Sequence, residues 1–392
     1  MKILCLTHHD LDAPAYGAAL RASNIFRLLA RHGDVRVVRA GSHKFWDDQP
    51  QKTFGGFELL RSAQFLPTPK FSIAEKFRHE FDPRFLNTNG FQASVADRTW
   101  LLNAIAEHDL VWIYGLTVAN GFGLLRWPNS VLDIDDIPSS FYRSELAQAK
   151  SLGQKLRCRR QIFLWSRHER TLPERFDAHC VCSEPDKKIM GGMEKMFVLP
   201  NGFNPPEKES ARQPATPPRL GFIGTFGYAP NRDGVRWFVE NVWPLVLKKF
   251  PAARLRLAGR ASQNENFSSA SNIDALGFVE DTAAEMATWS LSIVPVLVGG
   301  GTRIKIAEAF SRKCPVVSTS LGAYGYDVAE GRELLLADTA PDFAAKCLRL
   351  MTNPVEGESL AENGWRKYNE NWTWNLQAGQ IARIVECAAK KP

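Results

Sequence analysis

The chain alternates between short apolar or β-branched runs and longer segments whose apolar side chains recur at helical spacing. In the first half, the short runs predict strands at 2–7, 35–39, 57–62, 110–114, 131–134, 178–183 and 196–199. Between the first two strands, residues 21–31 place Ile25, Leu28 and Leu29 opposite basic side chains, which predicts an amphipathic helix. This alternation is typical of parallel sheets covered by helices, so we predict an α/β fold.

A proline-rich segment separates this series from a second one. Residues 204–218 contain five prolines and no large apolar side chain, which predicts a linker. The strands predicted after it are 220–223, 255–258, 273–277, 291–297, 315–319 and 333–336. The helix after the first of these strands has Asn231 or Asp233 as a candidate N-cap.

The two series predict two Rossmann-like domains. We expect a first domain at 1–203, a second domain at 219–371 and a final helix at about 372–390 that packs on the first domain. Open α/β sheets bind ligands outside the carboxyl ends of their strands. A cleft between the two sheets is therefore the expected place of function.

The strongest local signal is a glycine-rich turn after the predicted strand 291–297, formed by Gly299, Gly300, Gly301 and Thr302. Glycines let backbone amides approach a ligand, and the following helix start offers free N–H groups to a phosphate. Arg303 and Lys305 would supply cations to a pyrophosphate, and Glu308 lies one turn further along, where a carboxylate could hold a ribose. The alternative is a solvated turn with an exposed pair of Lys305 and Glu308.

Four segments agree in order and spacing with one known family. They are LPNGFNP at 199–205, GFIGTFGYAPNRDGVRWFVENVWP at 221–244, LGFVED at 276–281 and GGGTRIKIAEAFSRKCPVVSTSLGAYGYDV at 299–328. In these segments the chain resembles GT-B glycosyltransferases of family 4, in the subgroup whose donor segment begins GGGTR. The turn after the first predicted strand, with Pro14, Gly17 and Arg21, is similar to the acceptor-side loop of that family.

The resemblance implies two facing Rossmann-like domains and an enzyme. It implies a retaining hexosyltransferase that uses a UDP- or GDP-sugar as donor and a saccharide, lipid-linked or other hydroxyl acceptor, in surface polysaccharide or glycolipid assembly. No cofactor or metal ion is implied, because such enzymes handle the diphosphate with cations and helix dipoles. Two alternatives stay open, namely a nucleotide-sugar epimerase or hydrolase of the same fold and a non-catalytic nucleotide-sugar binding subunit.

Donor-side residues follow from the resemblance position by position. Glu308 matches the second glutamate of the family's glutamate pair, whereas the first would fall at Gly300. The expected Arg/Lys pair is missing from the loop that contains Gly224, Thr225 and Asn231, so Arg303 and Lys305 are the proposed substitutes. The segment Gly277, Phe278 and Val279 resembles the clamp for the base, flanked by Gly259 and Arg260; an ordinary strand end and an exposed surface arginine are the alternatives.

Candidate residues on the acceptor side lie at the ends of predicted strands. The resemblance places Tyr114 where the family often has a histidine, and His9 follows the first strand as a candidate base. Asp135 is a catalytic candidate, and Asp136 a candidate for acceptor contacts, by accepting hydrogen bonds from sugar hydroxyls. The alternatives are an inert loop histidine and simple capping of the helix that begins near Ser139. The cluster Asp133 to Asp136 also suggests a Mg²⁺ site. We favour the interpretation that these carboxylates bind no metal ion.

Charge adds a candidate partner. The chain has 49 Lys and Arg against 42 Asp and Glu, a net charge of +7 and a pI near 9.0. Residues 150–175 are predicted to form a basic, partly aromatic helix, and a patch at 65–85 is expected to form a mobile acceptor loop. Both segments fit an anionic membrane surface or a lipid-linked acceptor. The alternative is that they are simply solvated faces. The modest net charge argues against nucleic acid. Seven scattered cysteines and no long apolar run predict a cytoplasmic chain, peripheral at most to the membrane.

Overall fold

The computed structural model describes residues 1–12, 16–42, 52–68, 70–86, 90–206, 211–265 and 272–390. The chain divides into two compact units. Unit 1 comprises Met1–Pro200 and Gln377–Pro392, and unit 2 comprises Asn201–Leu376. Each unit contains a sheet flanked by helices, as expected for the α/β class.

The sheet of unit 1 is mainly parallel. Its strands are β1 Lys2–Thr7, β2 Asp34–Ser42, β3 Thr53–Phe54, β4 Phe57–Pro67, β5 Phe91–Ala93, β6 Leu110–Tyr114, β7 Ser130–Ile134, β8 Ala178–Val181 and β9 Met196–Val198. Their order is β3-β4-β2-β1-β6-β7-β8-β9, with β5 also on β4. The short strands β3 and β5 were not predicted, and both pair antiparallel with β4, so the sheet is not wholly parallel.

The helices of unit 1 are α1 Gly17–Leu29, α2 Ile73–Phe81, α3 Val95–Glu107, α4 Leu116–Gly121, α5 Pro138–Gln148, α6 Leu152–Arg170, α7 Leu172–Arg175 and α8 Glu184–Ile189. The patch 65–85, predicted as a mobile loop, contains the end of β4 and the helix α2. A capping box explains this helix, since the Ser72 hydroxyl accepts from the Glu75 amide and the Glu75 carboxylate accepts from the Ser72 amide.

Unit 2 has a wholly parallel six-stranded sheet. Its strands are β10 Arg219–Ile223, β11 Arg254–Ala258, β12 Ile273–Gly277, β13 Leu291–Val294, β14 Val316–Ser318 and β15 Leu335–Leu336. In the order β12-β11-β10-β13-β14-β15, chain connections leave β10 in opposite directions. Ligands of open α/β sheets bind at such a switch point. β13 ends before the predicted residue 297 because Pro295 has no amide to donate.

The remaining elements are α9 Ala229–Trp237, a π-helical turn Phe238–Val242, α10 Trp243–Lys249, α11 Thr282–Ala287, α12 Ile304–Ser311, α13 Ala340–Thr352, α14 Pro354–Asn371 and α15 Ala378–Ala388. The predicted N-cap of α9 was wrong. Tyr228 occupies that position without a side-chain hydrogen bond, and Asn231 lies inside the helix. Pro230 in the first turn explains the earlier start, because proline is favoured there.

The predicted linker and the final helix both make contacts in the structure. Of the predicted linker, the part at 211–218 donates backbone hydrogen bonds from Gln213 and Ala215 to carbonyls at the end of α11, while 207–210 lie outside the described residues. α15 belongs to unit 1, where it contacts α1, β7 and β8.

All seven cysteines are free thiols. No helix in the described ranges is long and apolar enough to span a bilayer.

Candidate functional site

Three glycines meet at the carboxyl ends of β10, β11 and β12. The Gly224 amide donates to the Ala258 carbonyl at 3.0 Å, and the Gly259 amide donates to the Gly277 carbonyl at 2.7 Å. A Cβ on Gly259, whose φ is +131°, would lie 2.1 Å from the Gly224 carbonyl oxygen. Only glycine allows this approach, so the structure brings three predicted donor-side residues to one edge of the sheet.

An exposed aromatic ring lies beside this edge. Phe278 follows β12 and is 65% exposed, and the Arg260 guanidinium lies 5.6 Å from the centre of its ring. Val279 packs instead against the apolar core of unit 2. A large exposed ring paired with a guanidinium offers a surface on which a planar base could stack.

The glycine-rich turn has a different local structure from the one predicted. α12 begins at Ile304, with Arg303 as its N-cap residue, so the helix starts after the glycines and not at them. The Arg303 guanidinium donates to the carbonyls of Gly300 and Gly301. The Thr302 hydroxyl accepts from the Asn201 amide at 2.8 Å. Arg303 therefore holds the turn in shape, which was not foreseen for a residue expected to bind phosphate.

Lys305 places a second cation, besides Arg260, at this edge. Its Nζ lies 3.0 Å from the point that a Cβ on Gly224 would occupy and 5.2 Å from the centre of the Phe222 ring. In the described ranges, Nζ has no hydrogen-bond acceptor and no carboxylate within ion-pair distance. Burial, and secondly the nearby Arg303, lower the pKa of Lys305 to about 8. A half-buried amine without a counter-ion is stabilised by an arriving anion.

Asn231 also lies close to Gly224. Its side-chain amide donates to the Thr225 carbonyl at 2.8 Å, and its Nδ2 lies 2.9 Å from the same hypothetical Cβ on Gly224. The amide of Asn231 therefore fixes the loop that carries Gly224 and Thr225. Together with Lys305, this loop forms a polar wall at the switch point of the sheet.

Glu308 lies one turn behind Lys305 and is buried, with 8% exposure. The alternative of an exposed pair with Lys305 was wrong, because the Glu308 carboxylate lies 3.5 Å from the Arg312 guanidinium. Arg312 also donates to the Thr282 hydroxyl at 2.9 Å. Burial raises the pKa of Glu308, and Arg312 opposes that shift. The structure thus holds this carboxylate in place, and its contact with a ribose stays a prediction.

A second group of polar side chains lies at the strand ends of unit 1. His9 follows β1, and its Nδ1 lies 3.1 Å from the Tyr16 hydroxyl while its ring packs edge-on against Tyr114. Burial, and secondly His8, lower the pKa of His9 well below its usual range, so the ring is neutral at pH 7. The lowered pKa keeps the imidazole unprotonated but weakens it as a base, so the role of His9 as a base stays a prediction.

Asp135 is held from both sides. The Tyr114 hydroxyl donates to Oδ2 at 2.7 Å, and the Cys182 thiol donates to Oδ1 at 3.1 Å. The neighbouring Asp136 is exposed. Ser139 is not capped by these carboxylates; its amide and hydroxyl donate to Glu169.

Arg21 does not have the acceptor-side role that was expected. Its side chain is fully buried, with Nη2 2.7 Å from Asp133 Oδ1 and Nη1 2.9 Å from the Leu199 carbonyl. A ligand at the surface cannot reach this pair, which instead ties α1 to β7. Gly17 begins α1, and Pro14 lies outside the described residues. In the described ranges, no three His, Cys, Asp or Glu side chains are grouped to bind a metal ion.

Part of the basic charge at 150–175 is used within unit 1. Arg160 pairs with Glu80, and Arg167 donates to the carbonyls of Glu80 and Phe81 at the end of α2. Arg157 pairs with Glu145. The exposed basic side chains of the segment include Lys150, Lys155, Arg159 and Arg170, and the exposed apolar ones beside it include Leu156, Phe163, Ile73, Phe77 and Phe81.

Several residues of these sites were missed in the sequence. Tyr16 and Cys182 contact predicted residues of unit 1, and Phe222 and Arg312 do so in unit 2. The position of Arg312, four residues after Glu308 on a helix, was a readable signal. No pattern in the sequence points to the other three, and the partners of Cys182 and Phe222 are distant along the chain.

Comparison with known proteins supplies the class. Residues 217–353 match the model of glycosyl transferases group 1. This part of the chain is therefore similar to a group 1 glycosyltransferase domain, and the matched range includes the glycine-lined edge and Lys305. The match does not test the finer GGGTR subgroup.

Relatives and solved structures agree with this domain. The chain is 29% identical over 203 residues to a phosphatidyl-myo-inositol mannosyltransferase of Mycobacterium leprae, covering 49% of this chain and 53% of that protein. It spans about half the length of the curated relatives it matches. Among solved structures, it is similar to sucrose-phosphate synthase of Thermosynechococcus elongatus, with a TM-score of 0.70, 16% identity and 98% of each chain covered. It is also similar to HepE of Anabaena in complex with UDP and glucose, with a TM-score of 0.66, 15% identity and coverage of 98% and 99%. The fold is GT-B.

Proposed function

We propose that the protein is a retaining glycosyltransferase that transfers a hexose from a UDP- or GDP-sugar to a hydroxyl acceptor. The observation that carries this proposal is Lys305, a cation without a counter-ion in the described chain, placed beside Gly224 at the switch point of unit 2. A diphosphate supplies the missing negative charge, and the first amides of α12 add hydrogen-bond donors.

The proposed donor arrangement uses the whole edge of the unit 2 sheet. The base stacks near Phe278 and Arg260, the ribose hydroxyls reach Glu308, and the diphosphate lies between Lys305 and the turn 299–302. Arg303 acts indirectly, by fixing the carbonyls of that turn. HepE, which shares the fold, binds UDP and glucose, and this supports a nucleotide-sugar as donor.

The proposed reaction keeps the configuration of the anomeric carbon. The acceptor oxygen forms a bond to the anomeric carbon on the face from which the diphosphate leaves. The bond from this carbon to the diphosphate oxygen breaks, and the acceptor proton passes to the leaving phosphate oxygen. Lys305 and the start of α12 stabilise the charge that develops on that oxygen. Since this charge is met by protein groups, the proposal requires no metal ion or other cofactor.

The proposal assigns the acceptor to unit 1, with His9, Asp135 and Asp136 as its contacts. A saccharide or lipid-linked acceptor in surface polysaccharide or glycolipid assembly fits the relative in Mycobacterium leprae, whose name specifies a lipid acceptor. The exposed basic side chains at 150–175 would hold the protein at the anionic inner face of a membrane.

A donor-consumption assay tests the proposal. The protein is incubated with UDP- and GDP-hexoses, with and without a panel of alkyl glycosides and phosphatidylinositol, and the released nucleotide is measured. We expect release that depends on an acceptor and that falls in Lys305→Met but not in the exposed control Lys248→Met. Release without acceptor would instead indicate the epimerase or hydrolase alternative. Tight nucleotide binding without any release would indicate a binding subunit, which the glycine at position 300 keeps open.

A further inference from the structure

Asp135 receives two hydrogen bonds from two different neighbouring strands. β7 lies between β6 and β8 in the sheet. Tyr114 is the last residue of β6 and donates to Oδ2, whereas Cys182 follows β8 and donates to Oδ1. Each carboxylate oxygen thus has a donor on its own side, and the carboxylate plane is fixed from both directions.

Both donors are permanently protonated. Burial raises the pKa of the Tyr114 hydroxyl and of the Cys182 thiol well above their usual ranges, and the charge of Asp135 raises both further. Both groups therefore have a proton to donate to Asp135 near pH 7. The Tyr114 ring is 1% exposed and is packed by His9, which keeps its hydroxyl oxygen within hydrogen-bond distance of the carboxylate.

The surroundings of Asp135 disfavour an anionic ligand. The cation Arg21 is fully buried and paired with Asp133, and His9 is neutral at pH 7. Asp136 adds a further exposed negative charge. Asp135 and Asp136 thus offer a ligand hydrogen-bond acceptors and negative charge at these strand ends.

We infer that Tyr114 and Cys182 are positioning residues that orient the Asp135 carboxylate to accept a hydrogen bond from an uncharged sugar or polyol acceptor. This inference rests on the proposed function and specifies the acceptor class for it. The acceptor hydroxyl would donate to Asp135, while any anionic part of a larger acceptor would lie away from this carboxylate.

The test compares three variants in the full chain. Cys182→Ala and Tyr114→Phe each remove one donor, whereas Cys182→Ser keeps a donor at the same place. We expect kcat/KM for an uncharged glycoside acceptor to fall roughly ten- to a hundredfold in the first two variants, with most of the loss in acceptor KM. Cys182→Ser should restore it to within a few-fold of the wild-type value. The affinity for UDP should stay unchanged in all three.

Cys158→Ala is the matched control, because it removes a buried thiol of unit 1 on α6. Equal activity of the Ala and Ser variants at position 182 would overturn the inference, as would a parallel loss of UDP affinity or a preference for an acceptor with a phosphate next to the reacting hydroxyl. If Tyr114→Phe fails to fold, the pair of variants at position 182 decides. If nucleotide release depends on an acceptor but the variants at positions 114 and 182 are as active as the wild type, only this inference is refuted. Absence of both turnover and acceptor binding in the wild type refutes the proposed function, and this inference with it.

Discussion

Nucleotide binding should depend on pH through Lys305. In the free protein, burial and Arg303 lower the pKa of this amine to about 8, and Nζ has no counter-ion in the described ranges. A bound diphosphate stabilises the charged form and raises this pKa again. Binding is therefore favoured by the proton on Lys305, and the affinity should fall as the pH rises through the pKa of the free amine.

The size of the effect follows from that pKa. With a pKa of about 8, roughly ten elevenths of the Lys305 amines are protonated at pH 7 and roughly one eleventh at pH 9. The dissociation constant of UDP should therefore be about tenfold higher at pH 9 than at pH 7. The diphosphate does not contribute, because the second pKa of a terminal phosphate lies at about 6 and its charge is nearly complete at pH 7.

Isothermal titration calorimetry with UDP at several pH values measures this dependence. Lys305→Met should weaken binding at pH 7 by roughly ten- to a hundredfold, as expected for a lost charge-assisted hydrogen bond, and should leave an affinity that does not change with pH. Lys248→Met, at an exposed position on α10, should keep the wild-type dependence. A flat profile in the wild-type protein, or the same slope in Lys305→Met, would refute the reasoning.

Three further predictions concern buried charges. At pH 7, Lys305→Met should raise the free energy of unfolding by roughly 1–2 kcal/mol, because it removes a half-buried charge without a partner; a lower melting temperature by calorimetry would contradict this. Asp133→Asn should lower the free energy of unfolding by about 3–5 kcal/mol in urea titrations, because it removes the carboxylate that neutralises the fully buried Arg21, and an unchanged midpoint would contradict it. Glu308→Gln should weaken UDP binding roughly ten- to a hundredfold. If the wild-type protein binds a 2′,3′-dideoxy analogue as tightly as UDP, the ribose contact is ruled out.

Much of the fold could be predicted from local patterns. The strand 110–114 has the predicted bounds because fully buried parallel strands appear as continuous apolar runs. The strands β3 and β5 could not be predicted, since two or three residues carry no periodic signal and both depend on pairing with β4. The helix α2 was missed although Ile73, Phe77 and Phe81 recur at helical spacing; in the structure this apolar stripe faces solvent.

The candidate sites were only partly readable. The glycines at 224, 259 and 277 could be named from the resemblance, but the reason that each must be glycine is the approach of distant backbone, as between Gly259 and the Gly224 carbonyl. Arg303 and Lys305 are two residues apart in sequence and were treated alike. The structure separates them, because Arg303 turns back onto the carbonyls of the glycine turn while Lys305 extends toward Gly224. Side-chain direction of this kind depends on tertiary contacts.

The central claim is that unit 2 binds a nucleoside diphosphate through Lys305. Its most direct test is a titration of the wild-type protein and of Lys305→Met with UDP and with GDP at pH 7. The account predicts that at least one nucleotide binds the wild-type protein and that the variant binds it at least about tenfold more weakly. Absence of binding of both nucleotides at millimolar concentration, or equal affinity of the two proteins, would contradict it.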